Sequence, residues 1–238
     1  MKDYVITIDC ETSLDSMVAD FAAVVSDRKG NIVNQCAVLV AGVYDDREMH
    51  PLFYDAYAGD LWGKNNLPVR YAKYDAMLES GARMIASPSA INRWLDRAAT
   101  TFNPVLTAYN LAFDLGKCAN TGIDLTMFTR SFCLWQAAYT KWGSNKKFLQ
   151  FVLDNHAFNN PTKYGNMTFK TNAEIMARFV LNMPELQDEP HTALEDIIFY
   201  ELPILNALLK TTSTKKLIEN SKPYNWKACQ VKDFYKVR

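Results

Sequence analysis

Three things are scarce in this 238-residue chain, and each scarcity removes a class of protein. Net charge is the first: 26 Lys and Arg balance 26 Asp and Glu, a formal total of zero. That argues against a strongly basic nucleic-acid binder, while leaving room for a surface divided between signs. Long apolar runs are the second. None approaches the roughly 18 residues that mark a membrane span, and Met1-Lys2-Asp3 leads straight into a strand, so neither a targeting segment nor a membrane partner is expected. Paired cysteines are the third. Cys10, Cys36, Cys118, Cys133 and Cys229 are odd in number and contain no CxxC, the usage of a reducing intracellular compartment, so a cytoplasmic location is expected. Repeats and low-complexity segments are missing too. What the chain does have is core-forming material: 49% of it is apolar and 13% aromatic, enough for one large domain with an appendage.

The strand that organises the rest is Val5-Ile6-Thr7-Ile8-Asp9-Cys10-Glu11-Thr12. Residues two apart on a strand share a face, so Asp9 and Glu11 can converge on one point, as oxygen ligands do around a hard divalent cation. Cys10, between them, points to the opposite face and is expected to be buried. A hairpin follows: Asp20 to Ser26, a turn at Arg28–Asn31 where Gly30 and Asn31 tolerate positive φ, and Ile32 to Val40. Pro51 to Tyr57 reads as an edge strand, Gly59 to Pro68 as loop, and Val69 to Arg83 as helix. Ser87-Pro88 supplies an N-cap and N1 proline for a helix to about Thr101. Pro104 to Tyr109 is a short strand leading into a helix through Cys118. A strand from Met127 to Phe132 precedes helices over Cys133–Lys141 and Asn145–Asn155. An inserted hairpin is expected over about 158–171, then a helix capped by Thr171 or Asn172. The last strong helix begins near His191, and Pro203 inside it predicts a kink or a break. A hairpin meander followed by alternating strands and helices indicates an α/β fold with a mixed β-sheet flanked by α-helices. The domain is expected over 1–210, with 211–238 as a basic, aromatic C-terminal tail.

Two further carboxylates are well placed to join Asp9 and Glu11. Asp114 follows a short strand at the start of a helix, where main-chain N–H groups favour an anion. Asp196 sits among Ala193, Leu194, Ile197 and Ile198, and a carboxylate among apolar positions needs partners or a metal. His191 lies five residues earlier, about 140° away round a helix. If the two meet at one site, Asp196 points in from the helix and His191 reaches over from the loop before it.

Asp9-x-Glu11-Thr12, Asn110-x-x-Phe113-Asp114 and His191-x-Ala193-x-x-Asp196, in that order, resemble the three motifs of the DEDDh 3′→5′ exonucleases, members of the ribonuclease-H-like superfamily. The resemblance covers about residues 4–208. The hairpin, the TNAEIMARFV helix and EPHTALED together look similar to exonucleases encoded by tailed bacteriophages, which would put the protein in a host cell's cytoplasm. The pattern departs from the family in three places: Ser13-Leu14-Asp15 fills a loop where a glycine is common, Tyr109 stands where a histidine often precedes the motif-two asparagine, and the linker from Phe132 to Asn172 is longer than in the simplest members and carries the hairpin.

The resemblance implies a ribonuclease-H-like fold and two divalent metal ions, Mg²⁺ or Mn²⁺, one beside the attacking water and one beside the leaving oxygen. It implies Asp9 bridging both ions, Glu11 and Asp196 completing one site, Asp114 holding the other ion and His191 acting as general base. Cancelling four carboxylates with two divalent ions would bring the chain to about +4, which eases nucleic-acid binding. The implied partner is the 3′ end of a nucleic acid, single-stranded DNA ahead of RNA, and the product a nucleoside 5′-monophosphate. Thr12 and Leu14 sit where family members touch the terminal nucleotide, beside Asn110. Phe113 either packs in the core or offers its ring to a base. Lys141, Trp142, Lys146, Lys147 and Phe148 form a basic–aromatic cluster that could track a strand, as could Lys163, Tyr164 and Lys170. The nearest alternative is an exoribonuclease of the same family. A different class is a nuclease fold turned interaction module, against which the completeness of the five motif residues argues.

Overall fold

The computed structural model describes residues 3–53, 67–160 and 167–221. The chain opens with an antiparallel meander of β1 (Tyr4–Thr12), β2 (Val18–Asp27) and β3 (Ile32–Val40). The tight β2–β3 turn is set by Gly30 at φ +85°, and a Cβ there would lie 2.6 Å from the Asn206 side chain. Asp27 closes the turn by accepting the main-chain N–H groups of Lys29 and Asn31.

After the meander come α1 (Leu67–Glu79), β4 (Met84–Ala86), α2 (Pro88–Phe102), β5 (Val105–Ala108) and α3 (Leu111–Thr121). Then follow β6 (Ser131–Cys133), α4 (Leu134–Trp142), α5 (Lys146–Asp154) and α6 (Ala173–Leu181). Finally α7 (Ala193–Asp196) runs into a π turn over Ile197–Glu201, then α8 (Leu202–Leu209) and α9 (Thr214–Asn220). The six strands form one sheet in the order β4-β3-β2-β1-β5-β6, in which β2 alone runs against the others. This is the expected α/β architecture, a mixed sheet flanked by α-helices on both faces. Val5, Ala22 and Val24 face a core built from α4, α5, α6 and α8, and Ile6, Ile8, Phe21 and Val25 face one that includes Ile91, Leu95 and Cys118. Burial on both faces explains why β2 reads as a nearly unbroken apolar run. Among the described residues, no helix is long and apolar enough to cross a membrane.

Several local expectations change. The helix expected to reach Arg83 stops at Glu79, because Gly81 turns the chain at φ +76°, and β4 follows as a strand too short to leave a pattern. The strand expected over Met127–Phe132 forms only at Ser131–Cys133, with Phe128 spent on the apolar core. In place of the edge strand at Pro51–Tyr57 the described part has only a bridge from Leu52 to Ser13, and residues 54–57 lie outside the described residues. The flanks of the expected hairpin pair through Phe158 and Phe169, while residues 161–166, including Lys163 and Tyr164, lie outside. So do 222–238 of the tail, whereas Leu217 of α9 packs into the core. In the expected basic–aromatic cluster Phe148 is wholly buried and not offered to a ligand, and Trp142 is half-buried and packs edge-on against Phe179. Pro203, where a kink or a break is expected, is the second residue of α8, directly after an interruption of the α geometry. The helix opens into the π turn, where Leu202 N–H reaches back to Ile197 O, just before the residue that has no N–H to give.

Candidate active site

Pairing between β1 and β5 ends at Thr7 with Thr107. Asp9 therefore stands just past the last bond between two parallel strands, where they diverge. Helices from opposite faces of the sheet reach this gap: α3 brings Asp114 from one side, and α7 with the π turn brings Asp196 from the other. Asp9 and Glu11 share a face of β1, as period-two geometry requires. The charges that act on Asp9 are, in order, those of Glu201, Asp114, Asp196 and Glu11, so five carboxylates crowd one locus.

Three side chains come closest together. Ligand atoms of Glu11, His191 and Asp196 all lie within 4.8 Å of one another, a spacing that could hold a metal ion. His191 is outside the helix, in the left-handed region at φ +50°, with Nδ1 3.9 Å from Glu11 Oε1. It reaches over from the loop while Asp196 points in from α7. Cys10, on the other face of β1, is buried with its sulfur 3.6 Å from that of Cys118, one turn beyond Asp114 on α3.

Burial dominates the electrostatics. Asp114 is 3% exposed and Asp196 6% exposed. Burial, resisted by hydrogen bonds from Cys10 and its own main chain, pushes Asp114 up to about 8. Burial, then the charges of Glu11 and Glu189, push Asp196 up to about 9. Asp9 rises well above the usual carboxylate range for the same first reason. Asp114 Oδ1 and Asp196 Oδ1 are buried with no hydrogen-bond partner. Oxygens stripped of water and left unpaired suit hard cations, which accept several such ligands. The residues present thus fit the divalent ions that the sequence motifs imply.

A pH dependence follows. Between about pH 4, where unfolded aspartates titrate, and the folded values near 8 and 9, the cation-free native protein holds more protons than the unfolded chain. Its stability is therefore full at acid pH and lost as pH rises through that window. Urea denaturation in EDTA should show midpoints falling from pH 5 to pH 9, and Mn²⁺ should remove most of the fall. A flat profile in EDTA would contradict the crowding of these acids.

Around this centre lie residues that sequence reasoning missed. Asp20, opposite Glu11 across the β1–β2 pair, is fully buried and receives Arg83 Nε at 3.2 Å and Ala193 N–H at 3.0 Å. Arg83 also bonds Glu195 at 2.6 Å, so one guanidinium ties α7 to β2 beside the site. From α1, Arg70 donates to His191 O at 2.9 Å and lies 3.9 Å from Glu11, while Lys73 donates to Pro190 O at 2.9 Å. Two cations thus hold the carbonyls of the loop that carries the histidine. Glu201, on the π turn, accepts Tyr109 N–H at 3.3 Å. No motif spacing marks these residues, because their partners are distant in the chain.

The expected substrate contacts are scattered in kind. Thr12 is buried, and its carbonyl accepts Phe53 N–H at 2.7 Å. Leu14 is half-buried, with its N–H given to Pro51 O. Asn110 is exposed at the start of α3 and lines a cavity of about 440 Å³ with Tyr109, Trp135, Asn159, Lys170, Thr171 and Asn172. Phe113 is 44% exposed, which removes it from the core, and Lys117 Nζ lies 4.7 Å above its ring.

No protein-family model matches the chain, and no curated protein matches it. Among solved structures the chain is similar to one described as Exonuclease X in complex with 5′ overhanging duplex DNA, at 16% sequence identity and a TM-score of 0.42, with 92% of this chain and 99% of that chain covered.

Proposed function

We propose that the chain is a divalent-cation-dependent 3′→5′ exonuclease that releases nucleoside 5′-monophosphates, with single-stranded DNA its favoured substrate. The observation that carries this reading is the convergence of Asp9, Glu11, Asp114, His191 and Asp196, from three distant stretches of sequence, on one gap in the sheet. Asp9, Glu11 and Asp196 would hold one ion, and Asp9 with Asp114 the other. The chemistry such a pair supplies is charge cancellation on the phosphodiester, a water acidic enough to attack at neutral pH, and stabilisation of the leaving oxygen.

The chain's own side chains do the rest. His191, with Nδ1 3.9 Å from Glu11 Oε1, takes the proton of the attacking water on its imidazole. Arg70 and Lys73 keep the His191 loop from swinging away by holding its carbonyls. The exposed ring of Phe113 and the cavity lined by Asn110, Asn159 and Asn172 offer a stacking face and amide groups to the terminal nucleotides.

The test is hydrolysis of 3′-labelled oligonucleotides, single- and double-stranded, DNA and RNA side by side, with Mg²⁺ or Mn²⁺ and with EDTA. Label should leave as mononucleotide from the first turnover, fastest from single-stranded DNA, and not at all in EDTA. Faster release from RNA would favour the exoribonuclease reading. No hydrolysis of any substrate with either ion would leave the fold as an interaction module. His191→Ala should lower turnover by roughly 10²–10⁴-fold while sparing Mn²⁺ affinity. Normal turnover in that variant would remove the general base.

A further inference from the structure

Glu201 is a buried acid that none of the three motifs contains. In an α-helix it would stand about 140° round the axis from Asp196 and face elsewhere. The π turn changes that: closure over i→i+5 brings residues five apart back toward one side, and Leu202 N–H bonded to Ile197 O is such a closure. Glu201 is thereby carried to the side of the helix that Asp196 uses. It is 3% exposed, and its charge acts on Asp9 more strongly than that of any other carboxylate. Asp114, Glu189 and Asp196 are its own acidic neighbours, in that order.

The hydrogen bonding of Glu201 is half complete. One oxygen accepts Tyr109 N–H; the other, Oε2, is buried and has no partner among the described residues. The facing Asp114 Oδ1 side of the gap is orphaned in the same way. Two unpaired carboxylate oxygens, brought by elements on opposite faces of the sheet to the same aspartate, form an arrangement that burial alone disfavours and a cation satisfies. Tyr109 N–H fixes the carboxylate through its other oxygen, as an outer hydrogen bond orients a metal ligand.

Resting on the two-cation reading above, we propose that Glu201 is a fifth carboxylate ligand, shared with Asp9 and Asp114 around the second divalent ion. That ion then has three protein carboxylates instead of two, and the site stays loaded without a nucleic-acid phosphate to complete it.

Calorimetric titration of the metal-stripped, substrate-free protein with Mn²⁺, checked by the signal of free Mn²⁺ in electron paramagnetic resonance, tests this without reference to activity. The natural chain should bind two ions. Glu201→Gln keeps the shape and an acceptor for Tyr109 N–H but loses the charge, and should bind one ion as before and the other at least tenfold more weakly. Two ions bound with unchanged affinity in this variant would mean that Glu201 is a buried neutral acid, and overturns the inference while leaving the nuclease reading intact. A natural chain that binds no Mn²⁺ overturns the nuclease reading and the inference with it. Should Glu201→Gln fail to fold, Glu201→Asp retains the charge and withdraws it by one methylene; weaker binding of one ion is expected, and unchanged binding again overturns the assignment.

Discussion

Asp196→Asn is expected to yield a protein that is more stable than the natural chain without cations and that hydrolyses nucleic acid at least ~10³-fold more slowly. Both effects come from one oxygen. Asp196 is almost fully buried, Oδ1 has no partner, and burial followed by the charges of Glu11 and Glu189 opposes its ionisation. An amide in its place carries no charge to repel the neighbouring acids. In EDTA at pH 8, where part of the natural population is ionised, the gain should be about 1–3 kcal/mol by urea denaturation. On the proposed reading the same substitution removes one of the carboxylates that would hold an ion beside Glu11. Saturating Mn²⁺ stabilises whatever state binds it, so the natural chain should gain several degrees of melting temperature and the variant much less. Hydrolysis at the natural rate would show that Asp196 has no part in the chemistry. Lower stability in EDTA would show that its charge is compensated by something other than a cation.

Arg83→Met should be the most damaging single change outside the carboxylates, at about 3–5 kcal/mol. Arg83 and Asp20 side chains are both fully buried, and burial raises Asp20 while Arg83 holds it partly down. Methionine fills much of the arginine stem's volume, so the loss is electrostatic more than steric. It strands a carboxylate next to β1 and frees Glu195 from α7's anchor. Combining it with Asp20→Asn should recover a good part of the loss, because the amide still accepts Ala193 N–H and no longer carries a buried charge. Chemical denaturation of the two single variants and the double gives the coupling directly. A double variant no better than Arg83→Met alone would place the cost in packing.

The sheet's three long strands could be read from pattern because apolar runs of strand length and a Gly30 turn are local properties. That Asp9 and Glu11 share a face, and that His191 reaches from a loop toward Asp196, could be read because residues two apart on a strand and a loop–helix pair each have a fixed spacing. Asp20 could not, since an aspartate at the head of DFAAVVS has the same spacing whether it ends a strand in water or meets an arginine 63 residues away. Arg70 and His191 are 121 residues apart, and Tyr109 and Glu201 are 92 apart. Composition misled at Phe148, where aromatic residues among lysines suggested a stacking surface and the 3.6-residue period of α5 put the ring in the core instead. Phe113 went the other way, onto the surface, because Leu111, Asp114 and Cys118 take the inward positions of α3.

The turn at Ile197–Glu201 is geometrically equivalent to one extra residue in a helix that otherwise keeps α geometry from Ala193 to Leu209. Its neighbours depend on its length in opposite directions. Upstream, the helix is indexed to the sheet by Asp196; downstream, it is indexed to the core by Ile204, Leu205, Leu208 and Leu209. Deleting one residue between them would rotate one half about 100° relative to the other. The motif His191-x-Ala193-x-x-Asp196 would survive such a deletion letter for letter. Two chains could thus share these letters and still differ in the number of carboxylates brought to the gap, a difference that only an alignment keeping track of this single residue would register.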